Sequence, residues 1–313
     1  MILYIIRRVL WSIPVMFVVA LFVFSLLYLA PGDPAAVIAG DQASPADVEK
    51  IRVSLGLDKP YLWRFGIWLS QILQGDLGVS IFSQLPVSEL ILQRIEPTLS
   101  LMLFALLITV VVGIPMGLLA AWNKGGVIDR LVMGFAVLGF SIPIFVFGYL
   151  LAYVFGSVFR LVPVQGFVPI SSGIGPFLKT IILPSIALST VYIALVARIT
   201  RTSMLEIISQ DYMRTARAKG LSPFAMVVSH ALKNAAIPII TVLGVGFATL
   251  LGGAVVTETV FSVPGLGRLT VDAILRRDYP VIQGVILLSS LFYVLVNLAV
   301  DITYMIVDPR IRL

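Results

Sequence analysis

The chain alternates between long uncharged, apolar runs and short segments that hold its charged residues. Six runs without Asp, Glu, Lys or Arg have the composition of membrane spans, at 9–30, 98–123, 131–159, 180–197, 234–257 and 279–300. A helix needs about 20 apolar residues to cross the hydrocarbon of a bilayer, and it satisfies its own backbone polar groups there. A seventh uncharged stretch, 161–178, is rich in Pro and Gly and is expected to be an external loop. The pattern therefore predicts an all-α polytopic membrane protein with six transmembrane helices.

The first apolar run follows Arg7 and Arg8, as the apolar core of a signal peptide would. It is longer than the roughly 7–15 apolar residues of a cleaved signal, and no small-x-small cleavage site follows it. We therefore expect an uncleaved first span.

The composition agrees with a membrane protein and limits the chemistry. Of the 313 residues, 59% are hydrophobic and 12% are charged, whereas ordinary soluble domains hold about 25% charged residues. The sequence contains no cysteine, which excludes disulfides, thiolate metal sites and cysteine nucleophiles. His230 is the single histidine, and we interpret it as a structural residue, so no metal site is predicted. The net charge of +6 follows the membrane topology and does not indicate nucleic acid.

The basic residues are distributed unequally between the two predicted sides of the membrane. If the N-terminus is cytoplasmic, the short outer loops hold only Arg160, Lys179, Arg268, Arg276 and Arg277. The inner segments then hold the larger set, namely Arg7, Arg8, Lys124, Arg130, Arg198, Arg201, Arg214, Arg217, Lys219, Lys233, Arg310 and Arg312. Because cytoplasmic loops carry the excess of Lys and Arg, we predict that both termini are inside.

The charge pattern also divides the chain into three parts. Residues 1–30 are predicted to form the cytoplasmic N-terminus and the first transmembrane helix. Residues 31–97 form a periplasmic or extracellular helical segment that is too long for an ordinary loop. Residues 98–313 form the core domain with the other five transmembrane helices.

The outer segment 31–97 has helical patterns of its own. Ser44–Pro45 is typical of a helix start, and a third short helix is expected near Pro86. Between them, an amphipathic stripe that stops at 75–78 consists of Tyr61, Phe65, Trp68, Leu69 and Ile72. The segment is either a small cap packed on the outer membrane face or a surface for an external partner.

Two of the apolar runs contain signals for close packing or bending. In the second run, Gly113 and Gly117 permit close contact with another helix, and Pro115 is expected to bend the span. In the third run, Pro143 predicts a second kink at 141–143.

No residue pattern supports independent energy coupling or catalysis. The apolar runs hold no ionisable pair, which argues against proton-coupled transport, although backbone sites for sodium stay open. Glu258 and Asp301 stand only at span ends, where an interfacial cap or a salt bridge is expected. The chain has no Gly-Lys dipeptide and hence no phosphate-binding Walker A loop, so an ATP-driven version needs another polypeptide. No catalytic triad or metal-ligand cluster is present, and we predict no enzyme.

The stretch 211–223, DYMRTARAKGLSP, is a short basic segment between two apolar runs. Asp211 is a predicted N-cap, and Gly220 suits the left-handed position that ends a helix. Ser222–Pro223 is expected to start the next helix. On this helix one face would hold Tyr212, Thr215, Ala216 and Lys219. Small residues there would let the helix dock into a groove of a partner protein; the alternative is a solvated basic loop.

These residues resemble the signature of inner-membrane permeases of ATP-binding-cassette importers. Aligned on Gly220, this chain has Arg-Thr-Ala at 214–216, where the family usually has Glu-Ala-Ala. The glutamate position departs from the general motif, but RTARAKGL is typical of the peptide/nickel branch. The resemblance spans nearly the whole chain, with matching motifs at 31–34, 55–60, 75–78, 198–206, 256–269, 277–280 and 308–312. The chain resembles the first permease of dipeptide, oligopeptide and glutathione importers.

The resemblance implies a fold, partners and a site. It implies the type I importer permease fold in the bacterial inner (plasma) membrane and a heterodimer with a second, homologous permease. It also implies two ATPase subunits, which bind ATP and Mg, and an external substrate-binding protein; this chain itself would hold no cofactor. Segment 211–220 would be the coupling helix, with ATPase-coupling residues Asp211, Tyr212, Arg214, Thr215, Ala216, Arg217, Ala218, Lys219 and Gly220.

The function implied is uptake of peptides, either di- or oligopeptides or glutathione-like molecules. A nickel chelate, an opine or a sugar are alternative substrates, because the binding protein largely sets specificity in this family. A self-sufficient secondary transporter or channel, and a membrane scaffold or enzyme, are the alternative functions. No substrate-binding residue is predicted.

Overall fold

The computed structural model describes residues 2–29, 35–36, 44–54, 57–222 and 226–307. These residues are helical or irregular, apart from a single β-bridge between Val79 and Pro86. The helices are α1 (Ile2–Leu29), α2 (Pro45–Ser54), α3 (Tyr61–Leu73), α4 (Val87–Ile108), α5 (Ile114–Trp122), α6 (Val127–Ser141), α7 (Ile144–Leu151), α8 (Ile174–Ile208), α9 (Asp211–Ala218), α10 (Leu232–Val260), α11 (Leu266–Arg276) and α12 (Tyr279–Val307). Between them lie π-helical segments at Thr109–Gly113, Ala152–Val158 and Met226–Ala231, and a 3₁₀ turn at Ile170–Ser172.

In the described part of the chain, five helical stretches are long and apolar enough to cross a membrane. They are Ile5–Leu27, Val87–Trp122, Ile174–Ile208, Leu232–Val260 and Tyr279–Ile306. A sixth crossing is present if Val127–Ser141 and Ile144–Val158, which meet at a bend of 104°, count as one span. The kink predicted at 141–143 is thus confirmed, because Ile142 and Pro143 leave the helical conformation. The run 131–159 is therefore a helix broken at the predicted kink, and the described residues are consistent with five or six membrane crossings.

The second span begins earlier than its uncharged run. Helix α4 starts at Val87 and continues through Pro97, so the short separate helix expected near Pro86 is the first part of α4. The start of an uncharged run shows where a chain can enter the hydrocarbon of the bilayer. It does not show where the helix starts, because a helix can extend beyond the hydrocarbon. Pro115 lies in the first turn of α5, directly after the π-helical segment Thr109–Gly113, and the bend at Pro115 stays a prediction.

Helix α8 is the centre of the compact unit formed by Met1–Ile5, Ile95–Arg268 and Leu295–Leu313. In its most apolar window 67% of the residues are buried, compared with 33% in α10. Around α8 pack α5, α6, α7 and α10. A Cβ atom at Gly117 would lie 2.5 Å from the carbonyl oxygen of Ala197 and 2.5 Å from Cβ of Thr200. The close helix contact predicted for Gly117 is therefore confirmed, with α8 as the partner.

The second compact unit consists of Ile6–Arg94 and Leu269–Val294. Its apolar core holds Ala20, Val23 and Phe24 of α1, Phe65 of α3 and Leu287 of α12. The stripe predicted in 61–72 packs into this cluster and is thereby confirmed. The predicted start of α2 is also confirmed, since the Val48 amide donates to the Ser44 carbonyl at 3.1 Å.

Asp278 joins two loops within this second unit through contacts that were not predicted from the sequence. Its carboxylate accepts the Ser80 hydroxyl at 2.6 Å and the Ile81 amide at 3.2 Å. Its own carbonyl accepts the Ile282 amide, so Asp278 also starts α12. The residue is 4% exposed, and its hydrogen bonds fix the chain that leads into α4 against the chain that leads into α12.

Candidate coupling site

Within the basic segment 211–220, residues Asp211–Ala218 form helix α9, which has a defined start and stop. The Arg214 amide donates to the Gln210 carbonyl at 3.4 Å, so Gln210 holds the capping position and Asp211 lies in the first turn. The predicted N-cap at Asp211 is therefore wrong by one residue. Gly220 has φ +80° and confirms the predicted helix stop. The Leu221 amide donates to the Ala216 carbonyl at 3.4 Å, which is the closing bond of a Schellman motif.

One face of α9 packs against the protein itself. Met213 is 2% exposed and Ala216 is 9% exposed. They belong to an apolar cluster, here called the inner cluster, whose other buried members are Ala121, Met204, Met226, Ala231, Ala235 and Ile239. Leu221 packs against the same cluster and completes the apolar contact of the Schellman motif.

The burial of Ala216 corrects the predicted docking face. The expected face grouped Tyr212, Thr215, Ala216 and Lys219, but Ala216 points into the inner cluster. Sequence spacing groups residues on a helix and does not tell which side meets the rest of the fold. Because successive residues are turned by about 100°, the side opposite Met213 and Ala216 is centred on Ala218.

The exposed side of α9 is polar and basic. Its exposed residues are Asp211, Tyr212, Arg214, Thr215, Ala218, Lys219 and Gly220; the side chain of Arg217 lies outside the described part. Arg214 and Asp211 approach to 3.4 Å, but their side chains are 79% and 94% exposed. Such an exposed pair is worth little and leaves both groups able to meet another partner. At the centre of this side, Ala218 is small enough for close contact.

Helix α9 is tied to the membrane helices on both sides in the sequence. Only Ser209 and Gln210 separate it from α8. On the other side, the amide nitrogen of Asn234 in α10 lies 3.1 Å from the Tyr212 hydroxyl oxygen. A displacement of α9 would therefore be transmitted to α8 and α10.

A buried ion pair fixes the end of α8 that leads to α9. Arg201 Nη2 donates to Asp129 Oδ2 at 2.7 Å, and Arg201 Nε donates to Oδ1 at 2.5 Å. The Asp129 carboxylate also accepts the Gly125 amide at 2.9 Å. Side-chain exposure is 6% for Asp129 and 23% for Arg201, so this bidentate pair is largely removed from water. The pair joins α8 to the first turn of α6, and the bond from Gly125 ties the preceding turn to the same carboxylate.

Sequence reasoning named Arg201 as a basic residue and missed Asp129. The two residues are 72 positions apart, and no local pattern links them. The sequence offered one signal for Asp129, which is that it is acidic and lies in an inner segment whose other charged residues, Lys124 and Arg130, are basic.

Glu258 lies near the end of α10 and caps the start of α11, which agrees with the predicted cap, but the residue is fully buried. It is 0% exposed, and its carboxylate accepts the Thr98 hydroxyl at 2.6 Å and the Arg268 amide at 2.9 Å. The Leu266 amide donates to Thr98 Oγ1 at 2.8 Å. A side chain at Gly265 would collide with this carboxylate. The start of α11 is therefore held in place by a buried acid.

Two family profiles match the chain. The family described as "Binding-protein-dependent transport system inner membrane component" matches residues 113–313. The description "Binding-prot-dependent transport system membrane comp, N-term" matches residues 1–102.

Curated relatives match over the full length. The protein named "Probable peptide ABC transporter permease protein y4tP" from Sinorhizobium fredii is 54% identical, with 99% of each chain covered. "Dipeptide transport system permease protein DppB" from Escherichia coli K12 is 40% identical, with 99% of this chain and 98% of the relative covered.

A solved structure supports the fold alone. The inward-facing MetNI methionine ABC transporter matches with a TM-score of 0.59 and 19% identity, covering 71% of this chain and 97% of that chain. Together with the profiles, which cover most of the sequence, these matches settle the family. The chain belongs to the inner-membrane components of binding-protein-dependent transport systems.

Proposed function

We propose that this chain forms half of the pathway by which an ATP-driven importer takes up peptides. A component of a binding-protein-dependent ABC transporter works with ATPase subunits and a binding protein. The peptide substrate is supported by relatives at 54% and 40% identity whose names specify peptides and dipeptides. A second, homologous permease supplies the other half of the pathway, and two ATPase subunits bind ATP and Mg.

The exposed side of α9 is the observation that carries this proposal. Met213 and Ala216 anchor the helix from behind, while Arg214, Ala218 and Lys219 remain exposed for a partner. A small residue between basic side chains suits a cleft with an acidic rim. The coupling residues are therefore Asp211, Tyr212, Arg214, Thr215, Arg217, Ala218, Lys219 and Gly220, with Ala216 as an internal anchor.

The contacts of α9 support a mechanical role. When the ATPase pair closes on ATP, the cleft pushes α9, and the short link to α8 and the Tyr212–Asn234 contact pass this movement to α8 and α10. The ion pair between Asp129 and Arg201 carries it to the start of α6. The spans then open the pathway outward, where the binding protein delivers the peptide.

Reconstitution tests the proposal. The chain is purified with candidate permease, ATPase and binding-protein subunits and is placed in proteoliposomes. We expect ATP hydrolysis to rise when the loaded binding protein is added, and labelled di- or oligopeptides to accumulate. Uptake of peptides by this chain alone along an ion gradient would instead support a secondary transporter. If a nickel chelate, an opine or a sugar stimulates ATP hydrolysis and no peptide does, the assigned substrate class is wrong. The proposal that the chain belongs to an ATP-driven importer would still hold.

A further inference from the structure

Helix α3 is apolar on two opposite sides. One side packs on α1 through Phe65 and Trp68. On the other side, Leu62 is 74% exposed, Trp63 is 62% exposed and Ile67 is 43% exposed. A helix on the surface of a soluble domain carries charged residues on its outward side. The outward side of α3 therefore does not suit contact with water.

The one charged residue of α3 does not belong to this outward side. Arg64 is 9% exposed, and its guanidinium carbon lies 5.8 Å from the centroid of the Phe24 ring. The polar residues of the outer surface, Ser70, Gln71 and Gln74, gather at the C-terminal end. All residues of α3 are described, so the helix has an uncharged outward side with a polar end.

The aromatic contacts of α3 fix its level along α1. The Phe24 ring lies 5.4 Å from Tyr61, 5.5 Å from Phe65 and 5.3 Å from Trp68, as centroid distances. Phe65 also lies 5.7 Å from Phe17.

The same contacts place α3 within the depth of the bilayer. The apolar span of α1 runs over Ile5–Leu27. At 1.5 Å per residue, Phe24 lies about 4–5 Å inside the Leu27 end of that span, and Phe17 lies about 15 Å inside it. Half the hydrocarbon thickness is also about 15 Å. Helix α3 therefore crosses α1 below the end of its membrane span.

We propose that α3 is an interfacial membrane helix, embedded in the outer leaflet, with lipid acyl chains covering Leu62, Trp63 and Ile67. Helices that lie in the plane of the membrane interface place their apolar residues at the boundary of headgroups and acyl chains. Trp and Tyr are enriched at the same level of membrane proteins.

Two features favour lipid as the occupant. The exposed side of α3 belongs to the same unit as the exposed residues Val18 and Phe22 of α1, which is itself a membrane span. In addition, Gly66 leaves a shallow groove of about 390 Å³ on α3, lined by Leu62, Trp63, Gly66, Ile67, Ser70 and Gln71. Its apolar part suits a segment of an acyl chain. Part of the segment 31–97 is thus a membrane anchor, independent of the proposed transport function.

Spin-label accessibility tests this placement directly. The chain contains no cysteine, so a single introduced thiol carries the label without removal of a native one. Ile67→Cys is the test variant. Val18→Cys on α1 serves as the lipid-facing control, and Glu49→Cys on the charged helix α2 serves as the aqueous control. The chain is studied with its partner subunits in nanodiscs of palmitoyl-oleoyl phosphatidylethanolamine and phosphatidylglycerol.

The measurement compares collisions with oxygen, which enters hydrocarbon, and with a water-soluble nickel chelate. At Ile67→Cys we expect an oxygen-to-chelate ratio close to that of Val18→Cys and several-fold above that of Glu49→Cys. A ratio equal to that of Glu49→Cys would overturn the proposal, because the side would then face water. Few collisions with both reagents would also overturn it, because a protein partner would then cover α3. Leu62→Cys repeats the test on the same side if Ile67→Cys fails to assemble.

Discussion

Two alanines of α9, only two positions apart, have opposite surroundings. Ala216 packs among the methionines of the inner cluster, and Ala218 lies at the centre of the exposed side. The same substitution at the two positions therefore separates the stability of α9 from its contact with a partner.

We expect Ala216→Glu and Ala218→Glu to fail in different ways. Glutamate at 216 places a charge in an apolar cluster and should lower the yield and thermal stability of the folded chain. Glutamate at 218 should leave stability within about 0.5 kcal/mol of the parent chain, as expected for a surface change. It should weaken the binding of the ATPase subunits about tenfold or more, or roughly 1.4 kcal/mol. The reason is that the acidic rim of the proposed ATPase cleft would repel the added negative charge. Thermal unfolding in detergent and titration with the ATPases measure the two effects.

The opposite result would contradict the assignment of faces. If Ala218→Glu binds the ATPases normally while a well-folded Ala216→Glu does not, then the docking side includes Ala216 and the observed packing of α9 does not persist in the complex.

The ion pair between Asp129 and Arg201 should hold the inner end of α8 in place. Asp129→Asn keeps the size of the side chain but leaves the Arg201 guanidinium without its carboxylate. We expect a loss of about 2 kcal/mol in stability, within the range for hydrogen bonds to charged groups. Arg130→Gln, an exposed change on the same turn, is the matched control and should change stability little. A double-mutant cycle with Arg201→Gln measures the coupling energy between the two side chains. A coupling energy near zero would show that the pair does not stabilise the inner end of α8.

At this scale the sequence predicts local features and misses distant partners. Gly220 could be identified as a helix stop because the left-handed conformation depends on one residue. Glu258 could not be placed, because its partner Thr98 is 160 positions away. The orientation of Ala216 depends on the inner cluster, which is formed by several helices. It therefore could not be predicted from the local sequence either.

The end of α9 depends on the left-handed backbone conformation of Gly220. Gly220→Val puts a β-branched residue at φ +80°, where such residues are strained. We expect about 1–2 kcal/mol of local destabilisation and impaired coupling of ATP hydrolysis to transport, while the membrane helices still fold. Gly134→Ala, on α6 with open space around it, is the control and should couple normally. Normal transport by Gly220→Val would mean that the Schellman stop is not needed.

The uncharged runs predicted where membrane helices lie better than where helices begin and end. Charge tells which residues enter hydrocarbon, so α1, α8, α10 and α12 were found. It does not register that α4 starts at Val87, outside the bilayer, or that the third run is broken by 104°. The π-helical segments were also not predicted, because the spacing of apolar residues does not distinguish them from α-helix.

In the proposed function, this chain supplies half of the pathway and a point of contact on α9, and the partner subunits supply the energy. The sequence lacks a Walker A loop, and the family acts together with a binding protein. Within the described part of the unit built on α8, α9 joins two spans and presents an exposed basic side. The central claim is therefore that force enters through this side of α9.

Site-specific photocrosslinking in living cells tests this claim most directly. A photoreactive benzoyl-phenylalanine replaces Ala218 in the assembled transporter, and Leu131, exposed on α6, serves as the control position. We predict that position 218 yields an adduct with an ATPase subunit and that position 131 does not. Absence of any ATPase adduct from position 218 in a transporter that still imports its substrate would contradict the account.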